Sequence, residues 1–256
     1  MKIGNRSVKH LIYRITDIDN YKSILRFFNV HKNPFTAIKN EFFGKGAYPK
    51  NLPVKTPTGV INLHVRSVID FSTLNCMFCR KDYYAPEGFK TVVDIGSNVG
   101  FSSAFWLSRN TDSYVYAFEP NPFILASLEN NLKQFGKRYE ISQSAVSAFS
   151  GETSFYVENT GLYSSMDEIA GEKITVKVVD INEILERVIK ERGRVDILKI
   201  DSEGQEIPTI QAIDPKFWEY INCINIGDAH GVEKYVPSIF KHSIVSSADR
   251  FIRKQK

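Results

Sequence analysis

From residue 91 onward the chain alternates short apolar runs with stretches of helical spacing, which predicts a parallel sheet covered by helices. Strands are expected at 92–95, 114–118, 141–146, 195–200 and 223–226, and helices at 102–108, 123–135, 181–192 and 208–213. Asn121 and Pro122 supply an N-cap and a first-turn proline for the helix they precede. Two alternating segments, 153–158 and 174–179, read as an edge hairpin or a substrate-side insertion. Ahead of this core, Val60, Leu63, Val65 and Val68 alternate across 58–71 and predict strands introduced by Pro57-Thr58-Gly59. Earlier still, Tyr21, Ile24, Leu25 and Phe28, then Phe35, Ile38, Phe42 and Phe43, recur at mostly helical spacing. Two short amphipathic helices are expected there, the second opened by Pro34 and ended by Gly44-Lys45-Gly46. The pattern divides the chain into an extension, residues 1–55, and an α/β domain, residues 56–256, with its core starting at 91.

Composition supports one such domain, since 256 residues at 43% hydrophobic content can bury a full core. No apolar run approaches the ~20 residues a membrane span needs, and the first residues lack a signal peptide's apolar stretch. The expected compartment is therefore the cytoplasm. Charge changes the picture at one end, because residues 1–50 hold ten Lys/Arg against three Asp/Glu, while the remainder holds 23 against 26. The basic helices are expected to be a solvated face, a cover for the active site or a dock for a second subunit. The same charge suits an anionic surface such as the inner face of a membrane, a glycan or nucleic acid. The lone C-x-x-C of Cys76 and Cys79, with Cys223 elsewhere, lacks the second pair of a zinc site and reads as reduced core cysteines.

Candidate chemistry starts at Asp94, which ends a buried strand and is followed by Gly96 and Gly100 in a tight turn entering a helix. Open α/β sheets bind ligands at that place, glycine lets a ligand approach the backbone, and the helix amides can receive a carboxylate. A dinucleotide fingerprint starting at Gly96 would need glycines at 98 and 101, where the chain has Asn98 and Phe101. An adenosyl amino acid needs less room and gains from Asp94 facing its cationic end. Glu119, 25 residues past Asp94 at a second strand end, suits two ribose hydroxyls.

Val92-Val93-Asp94-Ile95-Gly96-Ser97-Asn98-Val99-Gly100, Phe118-Glu119-Pro120-Asn121-Pro122, Ser144-Ala145-Val146-Ser147 and Lys199-Ile200-Asp201-Ser202-Glu203-Gly204 together resemble the FkbM-type methyltransferase family, in the family's order and over roughly residues 56–230. The approach segments Thr56-Pro57-Thr58-Gly59 and Phe78-Cys79-Arg80-Lys81-Asp82-Tyr83 share in the resemblance. It implies a class I, Rossmann-like fold of seven strands with the last antiparallel, S-adenosylmethionine as donor, and O-methylation of a hydroxyl on a sugar, glycan or natural product. By the same carry-over the methionine part lies on Asp94, Gly96, Ser97, Asn98, Gly100 and Phe101. The ribose lies at Glu119, Pro120 and Asn121, the adenine edge at Ser144 and Ala145, and Asp201 borders the donor.

Asp201 and Glu203 follow the fourth strand, beside the first, and are expected to orient the acceptor, with Asp201, Glu203 or His230 taking its proton. Lys199 alternates with Asp201, so it either shares that face or forms a buried ion pair. No metal is assigned, although Asp201, Asp228 and His230 compose an oxygen-rich alternative for a divalent cation, as in metal-dependent O-methyltransferases. The family's usual glutamate is missing from Ile226-Gly227-Asp228. The other readings are a methyltransferase for a small natural product, a lipid or a nucleic-acid ribose, and a non-catalytic scaffold that keeps the ligand. The Asn/Asp-Pro-Pro-aromatic motif of base amino-methyltransferases is absent after the fourth strand, which lowers amino-group transfer without excluding a ribose or small-molecule hydroxyl; no specific nucleic-acid partner is expected.

Overall fold

The computed structural model describes residues 2–3, 6–7, 18–43, 48–157, 164–166, 172–202, 204–227, 229–245 and 248–254. The chain separates into two compact units, Met1–Lys81 and Asp82–Lys256, where the sequence pattern placed a boundary after residue 55.

In the first unit, helices α1 (Ile18–Val30) and α2 (Pro34–Phe43) precede the antiparallel hairpin of β1 (Lys50–Thr56) and β2 (Gly59–Val65). Gly44-Lys45-Gly46 lies outside the described residues. A helix, α3 (Val68–Asn75), then stands where the alternation through Val68 and Phe71 predicted a strand. Ser67 explains the difference, because its hydroxyl accepts the Asp70 N–H while the Asp70 carboxylate accepts the Arg66 N–H. That pair satisfies helix-start donors, which a strand would leave to a sheet neighbour. Cys76 and Cys79 fall on a π-helical turn, Cys76–Arg80, both outside any disulfide. His31, buried at the end of α1, meets Asn75 Oδ1 at 2.8 Å, and burial holds its imidazole pKa below the ordinary value.

The second unit runs β3 (Thr91–Ile95), α4 (Phe101–Leu107), β4 (Tyr114–Phe118), α5 (Pro122–Leu132), β5 (Tyr139–Ser142), β6 (Ala145–Ser147), β7 (Gly151–Val157), β8 (Ser164–Ser165) and β9 (Glu172–Asp180). It continues through α6 (Ile181–Arg192), β10 (Val195–Ile200), α7 (Glu206–Ala212), β11 (Ile221–Ile226), β12 (Phe240–Val245) and β13 (Ala248–Arg253). Seven of these strands form one sheet in the order β12-β13-β11-β10-β3-β4-β5, in which β13 alone runs against the others. This is the class I methyltransferase fold. Strands β3 and β10 are buried along their whole length, as strands covered by helices on both faces must be.

The expected strand 141–146 is in fact two. Strand β5 ends at Ser142 in the large sheet, and β6 restarts at Ala145 in a four-stranded sheet ordered β8-β7-β9-β6. Between them the Ser144 N–H donates to the Ser142 carbonyl at 2.9 Å, and the two hydroxyls lie 3.0 Å apart. The backbone therefore turns where the apolar alternation continues. Strands β7 and β9 pair antiparallel over a small core of Phe155, Val157, Val176 and Val178.

Strand order reverses between β3 and β10, since the chain proceeds from β3 outward to β5 on one side and from β10 to β11 on the other. The crevice at the carboxyl ends of these two strands is where such a sheet offers a ligand site.

Candidate active site

Asp94, Lys199, Asn225 and Arg250 form one register row across β3, β10, β11 and β13. Polar groups in otherwise apolar strands need partners. Lys199 Nζ lies 3.2 Å from Asp94 Oδ1 and 3.8 Å from Asp201 Oδ2, and donates to the carbonyls of Ile95 and Gly96. Asp94 Oδ2 accepts the Ser102 and Ser103 hydroxyls at 2.7 and 2.5 Å. The Lys199 and Asp94 side chains are 1% and 0% exposed. Burial disfavours the ammonium, but the charges of Asp94 and Asp201 outweigh it and raise the Lys199 pKa. Of the two readings of Lys199, the geometry shows the buried ion pair, which ties β10 to the loop after β3.

Asn225 clamps the backbone of Tyr84, accepting its N–H at 2.9 Å and donating to its carbonyl at 3.2 Å, while the Arg250 guanidinium lies 5.0 Å from the Tyr84 ring centre. The clamp fixes the neighbouring Tyr83, whose hydroxyl donates to Asp201 Oδ2 at 2.6 Å and whose ring stacks on Trp106. Burial first, and the Asp201 charge second, push the Tyr83 phenol well above its ordinary pKa, so it remains a donor and is no base. Tyr83 and Asn225 are site residues to which sequence reading gave no role. Tyr83 lay within a quoted approach segment, and the only signal for Asn225 was a polar residue inside a buried strand.

The loop after β3 is held by protein contacts. The N–H groups of Gly96 and Ser97 both donate to the Phe118 carbonyl at 3.0 Å. A Cβ on Gly96 would lie 1.8 Å from the Asp201 carbonyl oxygen, and one on Gly100 would lie 2.7 Å from Leu128 Cδ1. Both residues have left-handed φ, +75° and +86°. The room these glycines make is thus filled by the end of β10 and by α5, where the sequence had assigned it to a ligand. Asn98, at the fingerprint's second glycine, is also left-handed with φ 47°, a conformation asparagine tolerates. A Cβ on Gly227 would lie 2.3 Å from Asp201 Oδ1. Asp201 is therefore seated between two glycines, its backbone against Gly96 and its carboxylate against Gly227, with the side chain still 40% exposed.

Glu119 is 5% exposed and accepts the Asn98 N–H at 2.8 Å and the Asn121 N–H at 2.9 Å, one on each carboxylate oxygen. Asn121 also caps α5 through Oδ1, and the Glu119 N–H reaches the Ser142 carbonyl at 3.1 Å. One carboxylate so links the first loop, α5 and the end of β5. Burial pushes its pKa up to about 7, against the lowering effect of the two N–H donors and of Lys199. Each oxygen retains a lone pair for a further donor.

Among the other expected contacts, Pro120 is half-buried, Ser144 and Ala145 are buried beside the β5–β6 break, and Phe101 is buried, so its side chain is core. His230 is exposed on the turn after β11. Glu203 and Asp228 lie outside the described residues, so their expected roles have no structural counterpart here. Among the described residues no three His, Cys, Asp or Glu side chains are grouped to hold a metal ion. Cys223 is a core thiol that burial pushes up to about 12.

The profile of the family described as Methyltransferase FkbM domain matches residues 94–246, more than half of the chain, from the buried aspartate of β3 to the end of β12. The chain belongs to the FkbM methyltransferase family. The chain is 26% identical over 155 residues to Methyltransferase 1 of Beauveria bassiana, a match covering 52% of this chain and 62% of that protein. Among solved structures it is similar to Methyltransferase FkbM from Methylobacillus flagellatus, at 16% identity and TM-score 0.49, covering 70% of this chain and 47% of that one. An rRNA methylase from Streptococcus thermophilus shares 15% identity at TM-score 0.38, covering 65% of this chain and 87% of that one. The chain thus spans 62% and 47% of the lengths of its two FkbM-type and curated relatives. Within the FkbM domain fall the row from Asp94 to Arg250 as far as Asn225, both glycines of the loop, Glu119 and Asp201.

Proposed function

We propose that this FkbM protein is an S-adenosylmethionine-dependent O-methyltransferase whose acceptor is a hydroxyl of a sugar or glycan. The observation that carries the reading is the half-exposed Asp201 carboxylate, held by Tyr83 and Lys199 against the Gly96 loop. S-adenosylmethionine, when bound, would supply a methyl carbon on a sulfonium: the acceptor oxygen would bond to that carbon in line as the C–S bond breaks, the demethylated thioether would leave, and the hydroxyl proton would pass to Asp201. The residues present fit such a donor. Asp94 Oδ1 is buried with no hydrogen bond beside its ion pair, the nearby Ser202 hydroxyl has none, and Glu119 keeps lone pairs that suit two ribose hydroxyls. Residues 94–100 would hold the methionine part, with Ser144 and Ala145 at the adenine edge.

The chain's own work is mainly alignment. Aligning two reactants supplies about 7–11 kcal/mol, whereas a general base contributes roughly 10²–10⁴ in rate. Asp201 therefore orients the acceptor hydroxyl first and receives its proton second. Tyr83 is a positioning residue, acting through Asp201. Replacing Tyr83 with phenylalanine is expected to lower kcat roughly 10- to 100-fold while the donor Kd changes less than about threefold, measured by steady-state kinetics beside equilibrium dialysis.

Glu119 adds a pH dependence. Its carboxylate form accepts the ribose hydroxyls, and with a pKa of about 7 it is mostly protonated at pH 6 and mostly ionised at pH 8. Donor affinity should rise about tenfold across that interval, in proportion to the ionised fraction, and Glu119→Gln should flatten the profile. Because the folded pKa is raised, this carboxyl lowers fold stability progressively as pH climbs from its unfolded value toward about 7, by roughly 3 kcal/mol in total. A donor-binding profile that is flat in the parent protein would contradict this role.

The acceptor is tested by labelled methyl transfer from S-adenosylmethionine to fractionated glycans, with and without chelator. Label in a base-stable ether on a saccharide supports the reading, and chelator-resistant transfer supports the assignment of no metal. Label found only in protein or RNA, or donor binding without transfer to any fraction, overturns it.

A further inference from the structure

We infer that the outer face of α1 and α2 docks onto a lipid surface bearing anionic headgroups. Ile24, Leu25 and Phe28 are 55%, 68% and 41% exposed, and Phe28, four residues from Ile24 and three from Leu25, brings them onto one face of α1. Phe35, 77% exposed at the start of α2, extends this face, its ring 6.0 Å from that of Phe28. The other side of α1 is the packed one, where the Phe27 ring lies 4.2 Å from His31, His31 lies 5.5 Å from Phe71, and Arg26 donates to the Cys79 carbonyl. A helix so packed normally turns charge to solvent, and this one turns aliphatic and aromatic side chains outward.

Charge identifies the occupant. Residues 20–40 carry Lys22, Arg26, Lys32 and Lys39 and no Asp or Glu, and Lys22 and Lys32 are exposed beside the apolar face. A polyanion such as nucleic acid would use those cations but has no place for Ile24 and Leu25. A second copy of the chain would cover the apolar side chains but would set the same lysines against each other, since a two-fold contact repeats one patch. An acidic bilayer accepts both, acyl chains the apolar side chains and headgroups the lysines. No helix among the described residues is long and apolar enough to cross a membrane, so the contact is interfacial. The surface belongs to the N-terminal unit, and its test involves no methyl transfer.

The full chain is sedimented with vesicles of phosphatidylcholine alone and of equimolar phosphatidylcholine and phosphatidylserine, with circular dichroism reporting the fold. Binding is expected to the acidic vesicles only and to weaken with salt. Leu25→Ser with Phe35→Ser should reduce the partition coefficient more than about tenfold, and Lys22→Gln with Lys32→Gln about fivefold per charge. All four positions are exposed or at the surface of their helices, so the variants should keep the fold. The inference is overturned by absence of binding, by equal binding to both vesicles, by variants that bind as the parent does, or by a dimer that Leu25→Ser with Phe35→Ser dissociates while vesicles go unbound.

Discussion

Alanine at Gly96 is expected to cost about 4 kcal/mol or more in folding stability and to remove donor binding. Left-handed φ alone costs an alanine about 1–2 kcal/mol. The larger part is collision, because the new Cβ would sit 1.8 Å from the Asp201 carbonyl oxygen, a backbone atom that cannot step aside by a rotamer change. Separating the two strand ends would also pull the Ile95 and Gly96 carbonyls from Lys199. Gly100 supplies the contrast. Its added Cβ meets the end of the flexible Leu128 side chain at 2.7 Å, so Gly100→Ala should cost about 1–2 kcal/mol and weaken the donor less. Denaturant unfolding of the two variants side by side checks the order, and equal losses would contradict the argument.

The second large effect is at Lys199. Removing a buried cation leaves its partners as uncompensated buried charge, which costs about 3–5 kcal/mol. Lys199→Met should therefore lower Tm by roughly 10 °C in a chain of this size. Adding Asp94→Asn to Lys199→Met should recover at least about 1 kcal/mol, because the two side chains meet at 3.2 Å with almost no exposure. A double variant whose losses simply add would show that the ion pair does not hold the strands together. Donor affinity should fall in Lys199→Met through the loop carbonyls it releases, with no need for Lys199 to touch either reactant.

Much of the fold was legible because periodicity and burial agree. Residues 114–118, 181–192 and 195–200 form the elements their patterns predicted, with the stated limits. Where two signals conflicted, the local hydrogen bonds decided. Val68 and Phe71 continue an alternating pattern, yet Ser67 and Asp70 cap a helix start. The expected strand 141–146 is split by the Ser142–Ser144 backbone turn, which leaves no mark on apolar alternation.

The site was legible as a set of motifs and opaque as a network. Position in the sequence singled out Asp94, Gly96, Glu119 and Asp201 as candidates, but their partners come from tertiary register. Tyr83 and Asp201 are 118 residues apart, and Asn225 reaches the neighbouring Tyr84 backbone from β11, which lies beside β10. The reason for Gly96 was likewise hidden, since the atom that excludes a side chain there belongs to Asp201, just past the end of β10. Glu119 shows the same limit in electrostatics. Spacing placed it at a strand end, whereas burial and two backbone donors determine its charge state.

The most direct test of the donor site is calorimetric titration of S-adenosylmethionine into the purified chain at pH 8, repeated with Glu119→Gln. One site per chain is expected in the parent protein, with affinity reduced at least about tenfold in a variant that remains folded. A folded parent that binds no donor, or a Glu119→Gln variant that binds it equally well, would contradict the assignment of the Asp94 to Gly100 loop and Glu119 to S-adenosylmethionine.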